Sequence, residues 1–247
     1  MTVRAATGRE PPILALGSDF YDAVAPAAFP QCVPRFVNRR WAERVGLELD
    51  DAGWAKHFCR FEPLGGNLRE PLALRYHGHQ FRVYNPEIGD GRGFLFAQLR
   101  DDSGRLLDLG TKGSGQTPYS RHADGRLTLK GGMREVLATE MLEALGVNTS
   151  KSFALFETGE LLERGDEPSP TRSAVLTRLS HGHIRIGTFQ RLAFLGEIGN
   201  LRALTAYCLQ QLYGEAGDNP LRLFELARDA TAKLAASYLA AGFVHGV

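Results

Sequence analysis

Gly89-Asp90-Gly91-Arg92-Gly93, the apolar run Phe94-Leu95-Phe96-Ala97-Gln98-Leu99, a turn at Asp101-Asp102-Ser103-Gly104 and a second run from Leu106 to Thr111 ending at Lys112 form the stretch on which the fold turns. Two short apolar runs joined by a turn rich in Asp, Ser and Gly predict a β-hairpin. A polar loop follows, and then a helix expected to begin near Gly132 that carries Glu135, 23 positions after Lys112. The order is therefore glycine-rich turn, hairpin, lysine on the second strand and glutamate on the next helix.

That order suits a polyanion. Backbone can approach phosphate oxygens closely where glycine puts no side chain in the way. A lysine amine neutralises the oxygens, and a carboxylate from a neighbouring helix holds the amine. The set reads as the nucleotide end of a kinase-like lobe. Each member also has a plainer reading. A Gly-Asp-Gly triplet before a strand is a common hairpin turn, and Glu135 serves equally as a helix-start acid that complements the helix dipole. No Walker loop is present, since Gly113-Ser114-Gly115 follows Lys112 and does not precede it. The ordered set carries the phosphate reading.

The 247 residues suffice for one large domain or two small ones. A hydrophobic content of 43% and a charged content of 23% are ordinary for a globular protein. A net charge of +1 makes no general electrostatic case for nucleic acid or membrane as a partner. Cys32, Cys59 and Cys208 are widely spaced and odd in number, which predicts reduced thiols rather than a disulfide frame or zinc site. No signal peptide and no run of ~20 apolar residues is found, so the expected location is cytoplasmic.

Residues 1–35, rich in Ala and Pro, are expected to be an irregular arm. Phe36, Trp41, Val45 and Leu47 are spaced as in a helix. His77 and His79 invite a metal reading, but with no Cys or third His nearby an imidazole hydrogen-bonded near a loop fits better. The helix of residues 132–145 shows an expected inward stripe of Met133, Val136, Leu137, Met141 and Leu145, closed by Gly146. Two further strands are predicted at Ser152–Phe156 and Ala174–Leu179. From Gly187 on the pattern is helical, with Leu201–Tyr213 and Leu221–Leu239 as helices and Asn219-Pro220 as a start signal.

Several blocks resemble the selenoprotein O (SelO/YdiU) family of protein adenylyltransferases. They are Tyr76-His77-Gly78-His79-Gln80-Phe81, Pro86 to Arg92, Lys112-Gly113-Ser114-Gly115-Gln116-Thr117-Pro118-Tyr119-Ser120-Arg121, Asp124-Gly125-Arg126 and Arg134-Glu135. Ala174 to Leu179 and His183-Ile184-Arg185-Ile186-Gly187-Thr188-Phe189 continue the series, which runs in family order over roughly residues 70–190. The resemblance implies an α+β, protein-kinase-like fold: an N-terminal extension (1–70), a β-rich nucleotide-binding lobe (71–187) and the start of a helical C-terminal lobe (188–247). It implies transfer of AMP from ATP, with Mg2+ or Mn2+, to Ser, Thr or Tyr hydroxyls of proteins, without nucleic acid or membrane partners.

Residue by residue, the resemblance makes Gly89, Gly91 and Arg92 part of the nucleotide loop and Lys112 the phosphate-binding lysine paired with Glu135. Asp124 and Gly125 become a second nucleotide contact, and Arg178 and Arg185 the two phosphate-binding arginines, a task suited to a planar, always-charged fork. Taken alone, Arg178 reads as a strand-edge charge. His77 and Arg82 stand where the family more often has small residues. The family's catalytic-base aspartate and metal-binding residues fall after the final Gly242-Phe243-Val244-His245-Gly246-Val247, so this chain is expected to hold the phosphate grip and little activity. Its His245 resembles the structural histidine of a kinase catalytic loop. A non-catalytic nucleotide-binding scaffold and a conventional phosphotransferase are the alternative readings.

Overall fold

The computed structural model describes residues 10–244. A 3-10 turn (Pro12–Leu16) leads into strand β1 (Tyr21–Ala23), strand β2 (Val33–Val37) and helices α1 (Arg39–Arg44) and α2 (Asp51–Phe58). Strands β3 (Leu72–Leu74), β4 (Gly78–Gln80), β5 (Val83–Asn85), β6 (Leu95–Arg100), β7 (Leu106–Lys112) and β8 (Leu127–Thr128) precede helix α3 (Leu129–Ala144). Then come β9 (Lys151–Leu162), β10 (Thr171–Ser180) and helices α4 (Ile186–Leu195), α5 (Ile198–Tyr213) and α6 (Pro220–Ala240).

The main sheet is antiparallel, in the order β1-β3-β6-β7-β10-β9-β2, with β8 paired to β10. The β6–β7 hairpin stands as the sequence predicts. Its turn closes because the Asp101 carboxylate accepts from the N–H groups of Ser103 and Arg105 and from the Ser103 hydroxyl, while Gly104 takes the left-handed conformation at φ 80°. Chain between residues 10 and 35, expected to be irregular, instead supplies β1 and part of β2. These two strands pair with β3 and β9 at opposite edges of the sheet. Short edge strands, β1 with its Asp22 and β2 with its Pro34, are created by their partners more than by local pattern. Phe36 lies on β2, and the helix begins only at Arg39, capped by the Asn38 side chain accepting from the Trp41 N–H.

Helix α3 corrects a second expectation. Leu137, Met141 and Leu145 are 65%, 46% and 55% exposed, whereas Gly132, Val136 and Leu142 are buried. Gly132 sits so close to β9 that a Cβ there would lie 2.6 Å from Leu155 Cδ1. Val136 and Met133 pack inward on Leu127, Leu155 and Leu176 as expected, and polar side chains complete the docking. Thr139 hydrogen-bonds Ser152, Glu140 accepts from Asn38, and Glu143 accepts from the Trp41 indole and pairs with Arg40 and Lys151. Half-buried polar contacts of this kind are invisible to an apolar periodicity. Gly146, at φ 79°, follows the helix as expected.

Cys32 and Cys59 form a disulfide, contrary to the reduced thiols expected from sequence. The two lie 27 positions apart, just before β2 and at the end of α2, and the packing of α2 against β2 and β9 brings them together. Cys208 is free and buried. One core, built on Trp54, Phe58, Phe94, Phe96, Phe153 and Phe156, lies beneath α1 and α2. Another packs Phe20, Leu72, Leu74 and Leu95 against Leu192 and Leu204 of α4 and α5. Helix α6, capped by the Asn219 side chain as predicted, has no buried residue. Among the described residues no helix is long and apolar enough to cross a membrane.

Candidate functional site: a glycine loop between two carboxylates

Residues 89–93 connect the β4–β5 hairpin to β6, and the three central carbonyls of this loop, those of Asp90, Gly91 and Arg92, are each hydrogen-bonded. Thr117 Oγ1 donates to the Asp90 carbonyl and Ser120 Oγ to that of Gly91, while the Gly113 N–H donates to that of Arg92 at 2.7 Å. A trans peptide points its C=O and the following N–H to opposite sides. The N–H groups of Gly91, Arg92 and Gly93 therefore turn away from segment 113–120. None donates to a protein group among the described residues. Three successive amides without a protein acceptor are donors of the kind an oxyanion recruits. Gly93 cannot carry a side chain, since its Cβ would lie 2.0 Å from the Thr111 carbonyl oxygen.

Lys112, the last residue of β7, forms an ion pair with Glu135 of α3. The other Glu135 oxygen faces Arg178 Nη1 of β10 at 3.4 Å. Adjacent strands place both cations beside one carboxylate, because Arg178 pairs in register with Gly110, two residues before Lys112. Helix α3 reaches them because Thr128 caps its start, accepting from the Gly131 N–H at 3.1 Å.

Asp90 is the second carboxylate, and it is buried. It accepts from the Leu74 N–H at 3.1 Å, lies 3.0 Å from His183 Nε2, and faces Arg185 Nη2 at 3.5 Å. Burial pushes the Asp90 carboxyl upward, but His183, Arg185 and the Leu74 amide outweigh it and hold the group below the usual range. The His183 ring lies over Gly110, where a Cβ would sit 2.6 Å from Cε1. Its backbone N–H donates to Asp108, a carboxylate whose burial raises its pKa. Arg185, the residue before α4, also stacks over the Tyr76 ring at 5.1 Å.

Glu135 thus joins Lys112 and Arg178, and Asp90 ties Arg185 to the glycine loop. Arg92 is exposed. Asp124 stands apart from these contacts. It pairs with Arg164 at 2.8 Å and lines a cleft of about 650 Å³ with Gln116, Arg126, Glu160 and the chain at Ala25–Ala27. Gly125, at φ 68°, packs on Gly115, whose carbonyl a Cβ would meet at 2.2 Å. His77 hydrogen-bonds the Tyr84 hydroxyl at 2.8 Å, in keeping with an imidazole tied near a loop. Sequence reasoning passed over Asp90 and His183. Asp90 lies inside the glycine triplet, and a charged residue between two glycines was the available signal. His245 lies outside the described residues.

Fold and site define an α+β protein in which a glycine loop, a lysine and two arginines gather around two carboxylates. The chain belongs to the SelO family: the family model described as protein adenylyltransferase SelO matches residues 5–247. Similar proteins include the protein nucleotidyltransferase YdiU of Synechocystis sp., 49% identical over 247 residues, covering 96% of this chain and 51% of that protein. Those of Gloeobacter violaceus and Ruegeria pomeroyi are 51% and 44% identical, covering 96% and 94% of this chain and 50% and 48% of theirs. The chain spans about half the length of these curated relatives.

Proposed function

We propose that this chain carries the triphosphate grip of a protein adenylyltransferase with a kinase-like fold, its nucleotide-binding lobe spanning residues 71–187. The reaction forms a bond from a protein Ser, Thr or Tyr oxygen to the α-phosphorus of ATP and breaks the bond to the β-phosphate oxygen, releasing pyrophosphate. The carrying observation is the row of three free amides at Gly91, Arg92 and Gly93, on a loop tied to segment 113–120 and bounded by Lys112. Amides and fixed cations stabilise charge that gathers on a leaving polyphosphate. Lys112, Arg178 and Arg185 hold β- and γ-oxygens, Glu135 orients Lys112, and Arg92 closes the loop side. Gly89 and Gly91 shape the loop, and Asp124 and Gly125 face the nucleoside end from their cleft.

Mg2+ or Mn2+ accompanies ATP in this reading. Among the described residues no group of three His, Cys, Asp or Glu side chains gathers into a metal site, so no step is assigned to the metal. The expected setting is the cytoplasm, with ATP and hydroxyl-bearing proteins as partners. The test is label transfer to an acceptor protein from α- and from γ-labelled ATP, using a chain that continues through the relatives' full length. Transfer of α-label, lost in Lys112→Ala, is the expected result. Transfer of γ-label would establish a phosphotransferase, and ATP binding without either transfer would establish a nucleotide-binding scaffold.

A further inference from the structure

Gly89 and Gly91 are glycines for a reason that lies on the side of the loop away from any phosphate. A Cβ on Gly89 would lie 2.4 Å from Cγ of the Tyr119 ring, and one on Gly91 would lie 2.8 Å from the Tyr119 carbonyl oxygen. Residue 119 is thus the surface on which the loop is moulded. Its hydroxyl donates to Asp22 of β1, whose carboxylate is clamped by the Arg75 guanidinium, with Nε at 3.0 Å from Oδ2. The Arg75 backbone in turn forms an isolated antiparallel bridge with Gly89, and its N–H donates to the Phe20 carbonyl at 2.9 Å. The contacts close a ring running from Gly89 to Arg75, Asp22, Tyr119 and back to Gly89. None of these three side chains has a part in the nucleotide grip described above.

We propose that Tyr119, anchored by Asp22 and Arg75, is a positioning residue that holds the glycine loop with its three amides turned outward. The inference rests on the phosphate reading of that loop. Burial and the Asp22 carboxylate push the Tyr119 hydroxyl up to about 12, so it stays a donor at any working pH. Arg75 holds the Asp22 carboxyl below its usual range, so the acceptor stays charged. Charge-assisted hydrogen bonds of this kind are short and directional. This one fixes the far end of a ring whose flat face supports Gly89. Thr117 and Ser120, which take the Asp90 and Gly91 carbonyls, flank Tyr119, and the Tyr119 N–H donates to Thr117 Oγ1 at 3.1 Å. Releasing the ring therefore loosens the two bonds that turn the loop carbonyls inward.

The experiment titrates inorganic tripolyphosphate and ATP into the 247-residue chain by calorimetry and follows hydrogen exchange at the amides of residues 91–93. Tyr119→Phe keeps the ring and removes only the hydroxyl. It is expected to weaken tripolyphosphate and ATP binding by about tenfold and to speed exchange at those amides, while β6 and β7 keep their protection. Asp22→Asn, which keeps the phenol but loses the charged acceptor, is expected to shift both readouts in the same direction, and it carries the test if Tyr119→Phe does not fold. Unchanged binding and exchange in the variants, with binding weakened in Lys112→Ala, overturns the positioning role alone. Protection lost across the whole sheet marks a general structural role and also overturns it. No binding by the parent chain, or binding unaffected by Lys112→Ala, overturns the phosphate reading and the proposal with it.

Discussion

Replacing Lys112 with alanine separates binding from stability, because the proposed grip makes the binding loss larger than the folding loss that its ion pair implies. The amine is held by one Glu135 oxygen, while the other lies 3.4 Å from Arg178 Nη1. After truncation Glu135 keeps Arg178, so no carboxylate is stranded, and the penalty of several kcal/mol for an orphaned buried charge does not arise. The Lys112 and Glu135 side chains are 24% and 23% exposed, so water screens part of the lost attraction. The expected loss of folding stability is about 1 kcal/mol or less. On the proposed phosphate grip the lysine would supply a triphosphate with a charge-assisted contact of roughly 1.5–3 kcal/mol, or about ten- to a hundredfold in Kd. Isothermal titration of ATP gives the first quantity and urea unfolding the second. The companion Glu135→Ala reverses the pattern: Lys112 and Arg178 are left as neighbouring like charges, and stability falls by more than in Lys112→Ala. An unchanged ATP Kd in Lys112→Ala, together with a stability loss as large as that of Glu135→Ala, would refute the reasoning and make the pair a purely structural bridge.

Asp90→Ala strands the Leu74 amide and leaves His183 and Arg185 without their shared carboxylate. It is expected to cost about 3–5 kcal/mol in urea unfolding, with Asp90→Asn costing less. Glu157, held by Arg172 against the cost of its burial and further by Arg35, has its carboxyl lowered to about 2. A depressed carboxyl stabilises above its ordinary range and loses that contribution as pH falls through the folded value, so the stability gap between parent and Glu157→Gln should close from about pH 5 to about pH 2. Reducing the Cys32–Cys59 bond frees a loop closed over 27 positions, which by chain entropy is worth about 3–4 kcal/mol, and thermal unfolding with and without dithiothreitol reads it directly.

What could be read along the chain was whatever neighbouring residues decide among themselves. The β6–β7 hairpin rests on Asp101 satisfying amides two and four residues away, and the start of α6 rests on Asn219 capping the next turn. The order of glycine loop, Lys112 and Glu135 was legible for the same reason, since it follows the chain. The inward face of α3 was not. Of its expected apolar stripe Val136 and Met133 do pack inward, but Leu137, Met141 and Leu145 point to solvent, and Glu135, Thr139, Glu140 and Glu143 add docking contacts to partners that a periodicity count treats as surface. The edge strands β1 and β2, the Cys32–Cys59 bond, the Asp90–His183 contact and the Tyr119–Asp22 contact were equally out of reach. Asp90 and His183 are 93 positions apart, and Tyr119 and Asp22 are 97 apart. Sequence shows which residues are able to pair and which local turns close, but burial selects among charged and polar partners only once the sheet has brought distant segments within hydrogen-bonding range. The Tyr119 ring beneath Gly89 is the sharpest case, because a glycine whose neighbours suggest a turn owes its identity to a tyrosine that only the folded sheet places there.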